Sequence, residues 1–155
     1  MTDPFTNQDH TYMRIALEEA NKAQMRDEVP IGAVLVDNKG EILSRQGNRT
    51  REQNDPTAHA EILCIREACA KANAQRIPNT TLYITLEPCT MCTAAISFAR
   101  IKRVVIGAID PKGGGILHGG TFYKQPTCHH KPDVHHGLHN EECGKILKDF
   151  FKARR

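Results

Sequence analysis

Alternation of short β-branched apolar runs with segments of helical periodicity is the feature that most restricts how this chain can fold. Residues 31–36, 81–86 and 103–108 have the composition of buried strands. A turn and a second strand at 41–45 follow the first run, so these two strands are predicted to form a hairpin. Because helices separate the later strands, their connections should be crossovers between parallel strands. The pattern therefore predicts an α/β domain in three layers.

Four helices are predicted, each with an apolar stripe that should face the sheet. They cover residues 9–24, about 58–73, a segment beginning at 88 and a segment beginning at about 140. The predicted buried faces, in the same order, are Met13, Ala16, Leu17 and Ala20; Ile62, Ile65, Cys69 and Ala72; Met91, Ala94, Ala95 and Phe98; and Ile146, Leu147, Phe150 and Phe151. Thr57 or Asp55 is the expected cap of the second helix, and Pro88 suits the first turn of the third.

Periodicity fails between the fourth predicted strand and the last helix. Residues 111–138 are rich in Gly, Pro and His, which predicts a loop with a fifth strand at about 133–136. A second zinc site is not expected there, because compact ligand spacing is missing from Cys128 and from histidines 129, 130, 135, 136 and 139.

Length and composition restrict the class of protein. With 155 residues, the chain is expected to form a single domain over residues 1–155. It has no run of about 18 apolar residues, so no membrane span is expected. The N-terminal segment lacks the build of a signal peptide, which favours the cytoplasm. In that compartment the six cysteines are more typical of free thiols or metal ligands than of disulfides. The net charge of +3 is too small to indicate nucleic-acid binding by itself.

Two short segments, 59–61 and 88–92, carry the residues with the clearest chemistry. Cys89 and Cys92 are three apart where a helix should begin, so both thiolates can lie on one face near the positive end of the helix dipole. The chain has no second Cys-x-x-Cys pair, and His59 is the best candidate for a further ligand. One histidine and two cysteines leave the fourth position of a zinc ion open to water, as in catalytic sites.

Glu61 is the expected proton carrier beside this zinc. Bound zinc can lower the pKa of its water from about 15.7 to about 7, which gives a zinc-bound hydroxide near neutral pH. Residues two apart do not share a face of a regular helix, so His59 and Glu61 should straddle the helix start. His-x-Glu followed by Pro-Cys-x-x-Cys is the signature of zinc-dependent nucleobase deaminases, in which the glutamate transfers protons.

Longer motifs extend the likeness over nearly the whole chain. They are VPIGAV at 29–34, DPTAHAE at 55–61, TLEPCTMC at 85–92, GAIDPKG at 107–113 and the ending at 142–152. In these motifs the chain resembles the bacterial tRNA adenosine deaminases. The resemblance implies the cytidine-deaminase-like fold, with a central mixed five-stranded sheet and helices on both faces. It also implies a homodimer with one Zn²⁺ per protomer that converts the wobble adenosine in a tRNA anticodon loop to inosine.

The same resemblance implies roles for particular residues. By motif position, His59, Cys89 and Cys92 would hold zinc, and Glu61 would be catalytic, with the zinc-bound hydroxide as nucleophile. The residues expected to contact the substrate are Asn48, Ala60, Asp110 and Lys112. Residues 115–123 and 129–134 depart from the family pattern, in a region where substrate contacts are expected.

Two other functions fit parts of the pattern. A deaminase of a free base or nucleoside (guanine, cytosine or cytidine) would use the same zinc chemistry on a smaller substrate. A zinc-stabilised RNA-binding module without catalysis would need a fourth protein ligand and would leave Glu61 without a role. Chelator-sensitive release of ammonia distinguishes this module from the enzymes.

Overall fold

The protein is described by a computed structural model that covers residues 3–154. Five strands form one sheet: β1 (Gly32–Val36), β2 (Ile42–Gly47), β3 (Thr81–Leu86), β4 (Arg103–Ala108) and β5 (Asp133–His136). The helices are α1 (Asn7–Met25), α2 (Ala60–Ala72), α3 (Thr90–Phe98) and α4 (Asn140–Lys152). A short 3₁₀ turn, Phe122–Lys124, lies in the long loop before β5. The predicted element order is confirmed, including the fifth strand.

The sheet is mixed, with the strand order β2-β1-β3-β4-β5. Strand β1 runs antiparallel to both β2 and β3, whereas β3, β4 and β5 are parallel to one another. The β1–β2 hairpin and the parallel crossover through α3 are therefore as expected, and the long loop makes a further crossover, from β4 to the parallel strand β5. Helix α2 also connects parallel strands, because β2 and β3 point the same way on either side of β1.

Helices cover both faces of the sheet, which confirms the three-layer arrangement. On one face, Met13 and Ala16 of α1 and Cys143 of α4 pack with Val34 and Val105 of the sheet. On the opposite face, side chains of α2 and α3 form the larger core cluster with the sheet; among them are Ala60, Cys64, Ile96, Leu35, Ile84 and Ile106. Among residues 3–154, no helix combines the length and apolar character needed to cross a bilayer.

The predicted buried faces are right for α1 but wrong for α2 and α3. Residues Met13, Ala16, Leu17 and Ala20 are buried as expected. In α2 the buried residues are instead Ala60, Glu61, Cys64 and Ala68, and in α3 they are Cys92, Thr93, Ile96 and Ser97. Phe98, predicted to be buried, is 65% exposed. Successive residues are about 100° apart around a helix. The buried residues of α2 and α3 are next to the predicted ones in sequence, so each helix is turned about its axis relative to the prediction, and polar residues such as Glu61 and Thr93 face inward.

The last helix follows its predicted pattern in part. Leu147 and Phe150 are buried, Ile146 is half-buried, and Phe151 is 48% exposed. Phe151 thus lies at the edge of the apolar face of α4, where it lines a surface groove.

The predicted helix starts also need correction. Helix α2 begins after His59, and the side chain of Asp55 accepts a bond from Thr57 N (2.8 Å) without capping the helix. Helix α3 begins at Thr90, with Cys89 as its N-cap residue, so Pro88 precedes the helix. Neither His59 nor Cys89 makes a side-chain capping bond. These two cap positions, which usually carry Ser, Thr, Asp or Asn, are occupied by predicted metal ligands.

Candidate metal centre and active site

The starts of α2 and α3 bring the three predicted zinc ligands together. Atoms that can bind a metal on His59, Cys89 and Cys92 all lie within 4.8 Å of one another. His59 Nδ1 is 3.6 Å from Cys89 Sγ and 3.4 Å from Cys92 Sγ. Nitrogen and sulfur ligands at about 2.1 and 2.3 Å from a tetrahedral zinc are separated by roughly 3.6 Å. The geometry of these residues therefore fits zinc.

The electrostatics of the cluster also suit a bound cation. A hydrogen bond from Cys92 lowers the pKa of Cys89 to about 4, while the hydrogen bond to Cys89 and burial raise the pKa of Cys92. The hydrogen bond to Cys89 raises the pKa of His59. Two adjacent thiols can thus carry one negative charge by themselves, and a soft divalent cation would stabilise the second thiolate. Within residues 3–154 this is the one group of at least three such ligands.

Glu61 lies in the first turn of α2, on the same small cavity as the cluster. The cavity has a volume of about 210 Å³, and its lining includes Ile31, His59, Glu61 and Cys89. Glu61 is 4% exposed, and burial raises the pKa of its carboxyl to about 7. As predicted, His59 and Glu61 straddle the helix start, which directs both toward the cavity. A carboxyl in this environment can exchange a proton near neutral pH.

Asn48, which directly follows β2, supports the start of α2. Its side-chain Oδ1 accepts a hydrogen bond from Ala60 N at 2.9 Å, so it satisfies an N–H group that His59 leaves without a cap. Asn48 is 5% exposed, and its Nδ2 has no hydrogen-bond partner within residues 3–154. The peptide N–H of Ala60 is engaged by Asn48, and Ala60 is not part of the cavity lining.

Asp110 and Lys112 lie in the loop after β4. Asp110 Oδ1 accepts hydrogen bonds from Lys112 N (3.2 Å) and Gly113 N (3.0 Å), which closes a turn. Asp110 and Gly113 line the small cavity, whereas Lys112 lies in a larger groove beside it. The structure thus brings Asp110 to the cluster and leaves Lys112 at the surface.

The larger groove continues from the cavity toward α4. It has a volume of about 770 Å³ and shares Ile31, Leu86 and Asp110 with the cavity. The rest of its lining consists of Val29, Pro111, Lys112, Leu147, Lys148, Phe151 and Lys152. An apolar floor flanked by three lysines can accept both a flat ring and a phosphate group.

The histidine-rich segment has mostly structural contacts. His130 Nε2 is 2.7 Å from Ile101 O, and His139 Nε2 is 3.1 Å from His10 Nδ1. Cys128 Sγ lies 3.2 Å from the carbonyl oxygen of His130. The His130 contact joins the loop before β5 to the segment that precedes β4, and the His139 contact joins the start of α4 to α1.

Sequence reasoning missed Glu87 and His118 as parts of the site. Glu87 lines the small cavity and is 2% exposed. His118 Nδ1 lies 2.8 Å from Glu87 Oε1. The signal that could have identified Glu87 is an acidic residue directly after a buried strand and before Pro88, a place where an apolar residue or a turn is expected.

Comparisons with known proteins identify relatives over most of the chain. Residues 6–108 match the family model for the cytidine and deoxycytidylate deaminase zinc-binding region. A tRNA-specific adenosine deaminase of Agrobacterium fabrum is 58% identical over 144 residues, which cover 93% of this chain and 94% of that protein. The tRNA-specific adenosine deaminase of Haemophilus influenzae is 46% identical, over 95% of this chain and 85% of its own length.

A solved structure has the same fold. It comes from studies of A-to-I editing by tRNA:A34 deaminases at the wobble position of transfer RNA, and it matches with a TM-score of 0.87 at 59% identity. The match covers 88% of this chain and 99% of the other. The predicted cytidine-deaminase-like fold is thereby confirmed.

Proposed function

The chain belongs to the tRNA-specific adenosine deaminases, within the family of zinc-binding cytidine and deoxycytidylate deaminases, and from this premise we propose its substrate and mechanism. The substrate is the adenosine at the wobble position of a tRNA anticodon loop, and the product is inosine. In this hydrolysis the C6–N6 bond of adenine breaks, a C6–O bond forms and ammonia leaves. The proposed compartment is the cytoplasm, where tRNA is used in translation.

One observation carries this proposal: Glu61 lines the same 210 Å³ cavity as the metal-ligand cluster. A zinc-stabilised binding module would have no use for a buried carboxylate beside its metal, since such a group is costly to bury. Three protein ligands, in turn, leave one zinc position for water. Together these features support a hydrolytic site.

His59, Cys89 and Cys92 would hold one Zn²⁺ per protomer. Zinc held there would supply an activated water molecule as the nucleophile for C6. Glu61 takes a proton from this water and delivers protons to N1 of the ring and to the departing amine. Its burial keeps the carboxylate away from bulk water, so the proton stays within the cavity.

Asn48 would recognise the base beside the metal. Its Oδ1 is held by Ala60 N, which orients the amide so that Nδ2 remains available as a donor. A purine offers acceptors such as N7 to this donor. In this arrangement Ala60 takes part in substrate binding through its bond to Asn48, because its own N–H is already engaged.

The groove beside the cavity would bind the rest of the anticodon loop. Phe151 offers an exposed ring for an unstacked neighbouring base, and Lys148 and Lys152 can contact phosphates. Lys112 also lines the groove, and Asp110 lines both the groove and the small cavity. A single-stranded loop suits this site, because a base that is already unstacked is less costly to extrude.

The helix layer formed by α2 and α3 would bind a second copy of the chain. Phe98 is 65% exposed, and Ile62, Ile65 and Met91 are only half-buried on the same two helices. These are the apolar positions whose periodicity predicted a buried face. A homodimer would cover them, and Phe98→Glu should then sediment as a monomer where the unmodified protein sediments as a dimer.

Deamination of a free base or nucleoside is the competing function. The small cavity alone could hold one base, but the groove with its lysines would then have no role. The test is incubation of the zinc-loaded protein with an anticodon stem-loop carrying adenosine at the wobble position, and separately with guanine, cytosine and cytidine. Inosine should form in the stem-loop, with chelator-sensitive release of ammonia, and the free compounds should remain unchanged. The reverse pattern would replace the RNA substrate and keep the zinc chemistry.

A further inference from the structure

Glu87 is a buried carboxylate beside the candidate active site to which the proposed mechanism gives no role. It lies between the end of β3 and the N-cap residue Cys89 of α3. Its side chain is fully enclosed, and its partners are all in residues 110–118. A carboxylate in such a place is costly unless it is well paired.

Both oxygens of Glu87 are used as acceptors. Oε1 accepts hydrogen bonds from Asp110 N (3.0 Å) and His118 Nδ1 (2.8 Å). Oε2 accepts from the peptide N–H groups of Ile116 (3.3 Å), Leu117 (2.9 Å) and His118 (3.2 Å). One side chain therefore connects the first and last parts of a nine-residue loop, and four of its five bonds are to main-chain groups.

The middle of this loop, residues 110–118, packs directly against Glu87 and α3. A Cβ atom on Gly114 would lie 2.2 Å from Glu87 Oε2, and one on Gly115 would lie 2.7 Å from Thr90 N. Gly115 N also donates to Pro88 O at 2.8 Å. The absence of side chains at these glycines allows the loop to approach the carboxylate and the start of the helix.

The position of this loop decides the shape of the site. Asp110 and Gly113 line the small cavity, and Asp110 and Lys112 line the adjoining groove. Because Glu87 is two residues from Cys89, the same short segment carries a proposed metal ligand and holds Asp110, another residue of the cavity lining.

We propose that Glu87 is a positioning residue, which fixes the 110–118 loop against the start of α3 and so sets the cavity wall that receives the base. This inference rests on the proposed function and extends it. Glu87 itself lines the cavity, but the loop already occupies both of its carboxylate oxygens, so in this role it is not the group that contacts the reacting atoms. It acts by holding Asp110, and through the turn that Asp110 closes also Gly113, in the lining of the cavity.

Glu87→Gln tests the proposal because glutamine keeps the size of the side chain and loses one acceptor. An amide NH₂ cannot accept from the peptide N–H groups, so at least one end of the loop must lose a bond. The expected result is a KM for the wobble-adenosine stem-loop about tenfold higher, with a smaller change in kcat and an unchanged zinc content. Amide hydrogen exchange of Asp110, Ile116, Leu117 and His118 should become faster.

Glu19→Gln is the matched control. Glu19 is also a buried carboxylate, 6% exposed, and accepts bonds from Lys22 and Arg45, but it belongs to α1 and lies outside the site. Its variant should lose stability without a change in KM or in the exchange of the 110–118 amides. Equal KM values for Glu87→Gln and the unmodified protein would overturn the positioning role, as would an equal KM increase in Glu19→Gln.

Failure of the positioning role can be distinguished from failure of the proposed function. If the unmodified protein forms no inosine in the stem-loop, the proposed function fails, whatever the exchange data show. If it is active and the four amides exchange at the same rate in both Glu87 forms, the positioning role alone fails.

Discussion

Helices α1 and α2 each begin beside a buried carboxylate, and the two carboxylates have opposite surroundings. Asp9 in the first turn of α1 accepts hydrogen bonds from Arg103 (2.8 and 3.0 Å), Tyr83 Oη (2.6 Å) and Thr6 N (3.1 Å). Burial by itself would raise its pKa, but the bonds from Arg103 and Tyr83 hold the pKa well below its usual range. Asp9 is thus a fully paired structural group.

Glu61 in the first turn of α2 has no such partners. It is 4% exposed, and among residues 3–154 no lysine or arginine forms an ion pair with it. Its pKa rises to about 7 because burial disfavours the charged form. The comparison shows that a carboxylate at a helix start can be buried with a cationic partner, as Asp9 is, or without one, as Glu61 is, and that the pKa moves in opposite directions in the two cases.

Glu61→Gln should have the largest effect of the three variants, and this effect should be on activity and not on stability. Loss of the proton carrier should lower the rate of inosine formation by about a thousandfold. The free energy of unfolding should not fall, because a neutral amide is less costly to bury than an unpaired carboxylate. Product analysis, metal analysis and urea unfolding check these expectations together. A variant that keeps its zinc and deaminates at the normal rate would exclude Glu61 as the proton carrier.

Two variants of Asn48 should show whether its side chain both satisfies Ala60 N at the start of α2 and contacts the base. Asn48→Asp keeps an acceptor for Ala60 N and loses the amide donor, whereas Asn48→Ala loses both. We expect deamination to fall ten- to a hundredfold in both variants, since one bond to the substrate is missing. Both variants should lose unfolding free energy, Asn48→Ala about 1 kcal/mol through the missing acceptor and Asn48→Asp through burial of a carboxylate. Full activity in Asn48→Asp would argue against a contact between Nδ2 and the base.

Asp9 should make the free energy of unfolding depend on pH in the acidic range. This is the smallest of the effects predicted for Glu61, Asn48 and Asp9. Because its folded pKa is lowered, its stabilisation is present above the unfolded pKa of about 3.9 and is lost as pH falls toward the folded value. Unfolding free energy should therefore fall by up to about 1.4 kcal/mol per pH unit from this group below about pH 4. Urea unfolding of Asp9→Asn should show a flatter dependence in this range. An identical pH dependence in both proteins would mean that Asp9 is not specially stabilised.

The sequence was sufficient for the strand order along the chain and for the metal cluster, because both depend on short, local patterns. His59, Glu61, Cys89 and Cys92 occur in two short segments whose spacing predicts that they lie at helix starts, although the cap residues themselves were predicted wrongly. Once β3 and its crossover helix were predicted, the two segments had to meet at one edge of the sheet.

The faces of α2 and α3 could not be predicted in the same way. Hydrophobic periodicity placed Phe98 inward, but the site requires Glu61 and Cys92 on the inner faces, and this rotates both helices away from their most apolar stripes. The role of Glu87 was hidden for another reason. Four of its five bonds are to peptide N–H groups, which every residue except proline carries and which therefore leave no trace in side-chain patterns.

The same reliance on main-chain bonds has a consequence for protein engineering. Since Glu87 binds the peptide groups of residues 110, 116, 117 and 118, only the side chains of Asp110 and His118 add hydrogen bonds that hold the loop's conformation. Lys112 and Leu117 are exposed on it, so they are positions where libraries of substitutions could vary the surface beside the proposed RNA groove. Gly114 and Gly115 should be kept unchanged in such libraries, because their lack of side chains lets the loop reach the carboxylate.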